Sequence, residues 1–208
     1  MNLQISYDFT NLTEAIEVAK KTASYADIIE IGTPLLFAEG VRAVEAFRKE
    51  FPNKKLLADI KLVDRVDDVI SLYGTAGADY ITVLGGTTNN IIRKATTIAH
   101  KHNVKVILDL VDIYTLGQAA KDASTLEVDG ILFHSPYDTD SSHEIEDKWE
   151  IVRGNTKLPI FVAEKINKES IQNILTLKPD GILIGKAITK AANPEEAAKE
   201  FHSLIHNK

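Results

Sequence analysis

Eight short runs of β-branched and apolar residues recur along the chain, each followed by a segment of helical period, and nothing else in the sequence constrains the fold as much. The runs cover residues 3–6, 28–31, 55–60, 80–83, 105–110, 130–133, 159–162 and 181–184. Their near-continuous apolar character suits strands covered on both faces, which is the situation of a parallel sheet. The intervening segments carry helix-start signals. Thr10 or Asn11 can cap a helix with Ala15, Ile16, Val18 and Ala19 on its apolar side, and residues 39–50 form a second helical stretch. Asn193, Pro194, Glu195 and Glu196 give a capping side chain, a proline at the first helical position and acids in the first turn. Strand and helix alternating eight times predicts a closed (β/α)₈ TIM barrel in one domain over residues 1–208, close to the minimum length for that fold. A doubly wound open sheet is the alternative, but its first strand usually runs into a glycine-rich turn, and here it runs into Tyr7, Asp8 and Phe9.

Composition removes several function classes. Lys and Arg number 24 against 30 Asp and Glu, a formal charge of −6, whereas nucleic-acid binding calls for a clustered basic face. With no cysteine, disulfides, thiolate metal sites and cysteine nucleophiles are excluded. No basic segment leads into a long apolar run at the start, and no stretch nears the roughly 18 apolar residues that span a bilayer. The expectation is a cytoplasmic protein with neither a membrane nor a nucleic-acid partner.

Chemistry in such a barrel belongs at the carboxyl ends of the strands. The first run leads to Asp8, the second ends at Glu30, and the third at Asp59 with Lys61. The fourth leads into Thr82, Val83, Leu84 and Gly85; the fifth carries Asp109 and Asp112; the sixth leads to His134. The last two lead to Glu164-Lys165 and to Gly185-Lys186. Singly, Asp8 or Glu30 reads as a strand-end cap and His134 as a hydrogen-bonding partner. Together they place carboxylates, a lysine and a histidine on one face, and burying charge is costly unless it is paired or bound. Strand alternation puts Asp59 and Lys61 side by side facing the barrel interior, with Asp64 in the following loop. Other polar stretches read as inert: Asp67-Asp68 open a helix, and residues 138–147 form a polar loop. Trp149 and Phe201 read as packing residues, and His100, His102, His143, His202 and His206 as surface.

These residues carry a family resemblance. Asp59-Ile60-Lys61-Leu62-Val63-Asp64 resembles the D-x-K-x-x-D signature of the orotidine-monophosphate-decarboxylase superfamily. Within it, Leu3-Gln4 through Asp8, Glu30-Ile31-Gly32-Thr33-Pro34, Thr82 through Gly85 and His134 through Asp138 resemble the 3-hexulose-6-phosphate synthase and 3-keto-L-gulonate-6-phosphate decarboxylase family. Tyr137, where the decarboxylase typically has an arginine, brings the chain nearer the synthase. The resemblance implies an Mg²⁺-dependent lyase acting through an enediolate, which condenses formaldehyde with D-ribulose 5-phosphate or, in the alternative, releases CO₂ from a keto-sugar phosphate. It implies that Glu30 and Asp59 hold the metal, Lys61 stabilises the enediolate oxygen, and His134 moves protons. Asp8 would orient substrate hydroxyls or Lys61, and Asp64 would reach into the partner's site across a homodimer interface. Thr82, Gly85, Lys165, Gly185 and Lys186 fall among its substrate- and phosphate-binding positions.

The chain also departs from the family pattern. Glu164-Lys165 stands where a glycine pair usually brings bare backbone N–H groups to the substrate phosphate. Arg65 follows Asp64 where the synthase usually has a small residue, and Pro136 replaces a glycine after His134. A carboxylate about 5 Å from one phosphate charge costs roughly 3 kcal/mol at an effective dielectric near 20, which Lys165 can offset. The lost glycines also motivate a third reading, a non-catalytic paralogue that binds a sugar phosphate.

Overall fold

The computed structural model describes residues 1–135 and 145–206. Its strands are β1 (Asn2–Tyr7), β2 (Ile28–Ile31), β3 (Lys55–Leu62), β4 (Tyr80–Leu84), β5 (Lys105–Asp109), β6 (Gly130–His134), β7 (Ile160–Ala163) and β8 (Gly181–Ile184). They pair in parallel in sequence order, and β8 returns to β1 to close a TIM barrel. The helices around it are α1 (Leu12–Thr22), α2 (Thr33–Glu39), α3 (Val41–Glu50), α4 (Val66–Thr75), α5 (Asn89–Lys101) and α6 (Leu116–Thr125). They continue as α7 (Ile145–Asn155), α8 (Ile171–Thr176), α9 (Lys186–Thr189) and α10 (Pro194–His206).

The start signals act as their chemistry dictates. The Asn11 side chain accepts from the Glu14 amide at 3.0 Å, and Asn193 accepts from that of Glu196 at 3.3 Å. Asp67 and Asp68 stand in the first turn of α4. The second helical stretch begins at Val41 rather than residue 39. Gly40, at φ 61°, breaks the helix and leaves α2 as a separate short piece carrying Thr33 beside the barrel mouth. Residues 136–144, with Pro136, Tyr137, His143 and most of the polar loop expected over 138–147, lie outside the described residues, and residues 145–147 belong to α7 instead.

Two packed layers follow from strand alternation. Outward residues such as Leu3, Ile5, Ile29, Leu56, Ile81, Val106, Ile131 and Ile182 pack beneath the helices. There Phe201 is fully buried, and Trp149 meets the Phe133 ring edge-on at 6.0 Å. Inward residues Ile28, Leu57, Ile107, Leu132, Phe161 and Ala163 form a second cluster inside the barrel. Gly181 makes room for it, since a Cβ there would fall 2.3 Å from the Phe161 ring. At the amino ends an acid just before each even-numbered strand accepts the backbone N–H of the preceding odd one. Asp27 takes Leu3 at 2.7 Å, Asp79 takes Leu56 at 2.9 Å, Asp129 takes Val106 at 2.8 Å and Asp180 takes Ile160 at 2.9 Å. Three histidines read as surface also serve this end: His100 meets Asp129 and His206 meets Asp27, while His202 bonds the Tyr25 carbonyl. The barrel floor is therefore apolar and tied, and polar inward residues are left for the carboxyl ends.

Candidate active site

Those inward positions are Gln4 and Ser6 on β1, Glu30 on β2, Asp59 on β3, Thr82 on β4, Asp109 on β5 and His134 on β6. Paired residues of neighbouring parallel strands point the same way, and Ser6 pairs with Glu30 while His134 pairs with Ala163 of the inner cluster. Above them opens a cavity of about 690 Å³, within the usual range for a small-molecule site. Its lining includes Asp8, Glu30, Asp59, Lys61 and His134, and, on the side of β7 and β8, Glu164, Lys165, Gly185 and Lys186.

Lys61 reaches Asp59 by a route that plain alternation does not provide. Between Ala58 and Leu62 the pairing with β4 shifts, so that four steps on β3 match two, from Ile81 to Val83, on β4. Within this bulge Lys61 adopts a left-handed backbone at φ 46°, a conformation costing a non-glycine residue roughly 1–2 kcal/mol. Thr82 offsets that strain: its hydroxyl oxygen accepts the Lys61 N–H at 2.9 Å and its proton goes to Asp59 at 2.7 Å. The Thr33 hydroxyl, delivered by α2, donates to the other Asp59 oxygen at 2.5 Å. Strain held in place by surrounding bonds is typical of functional sites.

The Lys61 ammonium then sits 3.1 Å from Asp59 and 2.7 Å from Asp109. Burial opposes its charging, but the two carboxylates outweigh burial and raise it above its ordinary value. Lys61 is thus a fixed cation. Asp109 is wholly buried and also accepts from His134 Nδ1 at 3.0 Å. Burial alone would raise its carboxyl, yet the hydrogen bond and charge of His134, together with Lys61, prevail and hold it low. An ionised Asp109 can only accept, so His134 donates through Nδ1, which leaves Nε2 as the lone-pair nitrogen whenever the ring is neutral. Asp109 stood at a strand end in the sequence with no role assigned, and the signal for one was its place at an inward position of an otherwise apolar strand.

On the other side of Asp59, Glu30 is buried and accepts from Ser6 at 2.7 Å and from the Gln4 side-chain amide. Burial, then Asp59, then Asp8 push its carboxyl upward; Asp8 is raised in turn by burial and by Asp59. Gly32 and Gly185 let Asp8 lie close, since a Cβ at Gly32 would fall 2.1 Å from its carboxylate and one at Gly185 3.2 Å. These crowded carboxylates supply only hard oxygen donors, and a divalent cation would relieve their repulsion. Mg²⁺ suits such a set because it commonly takes one or two carboxylates and fills its octahedron with water and substrate oxygens. Among the described residues no group of three or more ligand-type side chains is spaced to hold a metal alone. Glu30 and Asp59 would thus make up only part of the ligand set of a divalent cation.

Several expected residues stand elsewhere. Thr82 is buried beneath the cavity and works through Asp59 and Lys61. Gly85 is not part of the lining; its N–H bonds the Asp109 carbonyl at 2.8 Å, and a Cβ there would strike Ile113 at 2.6 Å. Asp64 is exposed and outside the lining. Glu164 is half-buried and accepts from the Ser135 hydroxyl, while Lys165 is exposed at the rim. Burial raises the Glu164 carboxyl, against the Ser135 bond and the charges of His134, Lys148 and Lys165.

Comparison with known proteins agrees with this fold and gives the family. Residues 1–201 match the model of the Orotidine 5'-phosphate decarboxylase / HUMPS family. The chain is 35% identical over 207 residues to the 3-hexulose-6-phosphate synthase of Bacillus subtilis (strain 168), with 99% of each chain covered. Its fold matches the crystal structure of 3-hexulose-6-phosphate synthase from Salmonella typhimurium with a TM-score of 0.93 at 31% identity, over 100% of this chain and 99% of that one. It matches 3-keto-L-gulonate-6-phosphate decarboxylase from Vibrio cholerae with a TM-score of 0.83 at 28% identity, over 99% and 97%.

Proposed function

The chain belongs to the Orotidine 5'-phosphate decarboxylase / HUMPS family, and on that premise we propose that it is a cytoplasmic carbon–carbon lyase that condenses formaldehyde with D-ribulose 5-phosphate. The observation that carries this reading is the constellation of Lys61 between Asp59 and Asp109, with His134 on the far side of Asp109. A ketose phosphate entering the cavity places its C1–C2 end over these groups and its phosphate toward Lys165 and Lys186. His134 Nε2 takes a proton from C1, and the negative charge moves to the C2 oxygen beside the Lys61 ammonium. A preorganised cation at that oxygen is typically worth about 3 kcal/mol of barrier. The C1 carbon then bonds to formaldehyde, and His134 returns its proton to the new alkoxide. Mg²⁺ held by Glu30 and Asp59 would supply Lewis-acid stabilisation of the substrate oxygens. Asp8 orients substrate hydroxyls, held by the Ser6 hydroxyl at 3.2 Å.

A homodimer belongs to the same proposal. Phe37 and Tyr114 are 88% and 98% exposed, and Val63 stands half-exposed beside Asp64. All lie in segments following strands β2, β3 and β5 on one side of the barrel mouth, where a second copy would cover them and receive Asp64. The test is formaldehyde-dependent loss of D-ribulose 5-phosphate by purified protein with Mg²⁺. No loss, with CO₂ release from 3-keto-L-gulonate 6-phosphate instead, would transfer the assignment to the decarboxylase.

A further inference from the structure

The charge of each lysine that lines the cavity already acts on a carboxylate. Lys61 is held between Asp59 and Asp109, the charge of Lys186 acts on Asp8, and that of Lys165 acts on Glu164. Among the described lining residues Asp8, Glu30, Asp59 and Glu164 stand against Lys61, Lys165 and Lys186. A divalent cation, if held by Glu30 and Asp59, would correct this balance at the reacting end only. At the other end Glu164 has no part in the chemistry proposed above. Its carboxyl is half-buried and accepts from the hydroxyl of Ser135, the residue next to His134. Both residues line the same cavity and the Lys165 charge acts on this carboxylate, so a doubly charged group drawn to Lys165 comes within its field.

We propose that Glu164 is a specificity-determining residue that weakens the hold on a dianionic phosphate and so narrows the preference for a sugar phosphate over the free sugar. The inference rests on the reading of the cavity as a ketose-phosphate site. A carboxylate close to a dianion, in a partly water-filled cavity, lowers affinity on the order of tenfold once screening is allowed for. For a neutral end group the same carboxylate is a hydrogen-bond acceptor and carries no such penalty.

The test compares the full chain with Glu164→Gln, which keeps an acceptor for Ser135, and independently with Glu164→Ala. Calorimetry with Mg²⁺ present reads the affinity for inorganic phosphate, and kinetics reads the ratio of kcat/KM for D-ribulose 5-phosphate over D-ribulose. The expected result is phosphate bound on the order of tenfold tighter in both variants, with the kcat/KM ratio rising through KM. Unchanged or weaker phosphate binding in both variants overturns the proposal. Because phosphate affinity is read without turnover, the two readings fail separately. Tighter phosphate in the variants without formaldehyde chemistry refutes only the reaction, and active enzyme with equal phosphate affinities refutes only the role of Glu164.

Discussion

Asp109→Asn removes one charge from the centre of the site while keeping its shape, and its effects follow from the bonds the carboxylate accepts, among them one from the Val111 N–H at 2.9 Å. The wild-type carboxylate accepts from Lys61 at 2.7 Å and from His134 at 3.0 Å, with no exposed side-chain surface. An asparagine offers one oxygen, so one of these donors faces an amide NH₂ instead. Breaking a buried charge pair costs about 3–5 kcal/mol. The lower end applies here, because Lys61 keeps Asp59 at 3.1 Å and its side chain is 26% exposed. About 3 kcal/mol corresponds to a Tm lower by roughly 6–12 °C for a chain of this size. If the NH₂ turns toward His134, the imidazole adopts the other tautomer and loses its basic Nε2; if it turns toward Lys61, the cation loses its stronger partner. Either way kcat should fall by about 10²- to 10⁴-fold. Thermal unfolding and steady-state kinetics read the two effects, and exchange of the substrate C1 proton with solvent reads the proton step alone. An Asp109→Asn protein with the lowered Tm but kcat within about threefold of wild type would refute the reasoning and make Asp109 a purely structural residue.

Four further outcomes are expected. Thr82→Val strips the hydroxyl from the Lys61 amide and from Asp59, and should lower stability by about 2 kcal/mol, seen as a shifted urea midpoint at unchanged slope. Asp129→Ala unties Val106 and His100 at the opposite end of the barrel, and should lose about 1–2 kcal/mol of stability with kcat unaltered. Glu30→Gln should weaken Mg²⁺ binding by roughly 10- to 100-fold or more in a calorimetric titration, and chelation of Mg²⁺ should abolish wild-type turnover reversibly. Mixing inactive Lys61→Ala and Asp64→Ala proteins under exchange should restore activity if Asp64 serves the partner's site; no recovery would confine Asp64 to its own chain.

The fold was legible because a parallel barrel writes its period into the sequence. Strands covered on both faces read as apolar runs, and helices announce themselves through residues such as Asn11 and Asn193. The division of the second helical stretch was less legible, since a glycine at residue 40 reads equally as a tolerated interior residue or a break. In the site, Asp8, Glu30, Asp59, Lys61 and His134 could be picked out because charge at the end of an apolar strand is conspicuous. Their supports could not. Gln4, Ser6, Thr33 and Ser135 are polar residues of ordinary kind, and only the pairing of β1 with β2 and of β6 with β7 and the turn of α2 give them carboxylates to serve.

The Asp59-to-Asp64 segment shows where the division lies. By itself the sequence determined that a carboxylate and a lysine stand two residues apart at the end of an inner strand, and that a third acid follows in the loop. Regular alternation would have aimed Asp59 and Lys61 inward with nothing further to hold them. The tertiary structure decided that β3 bulges there, with Lys61 in a left-handed backbone tied to Thr82 on the next strand and its ammonium aimed at Asp109 on the strand after that. The reason is physical: alternation and capping act within a few residues of chain. Register shifts and buried charge pairs are settled between strands tens of residues apart, where only the closed barrel brings the partners within bonding distance.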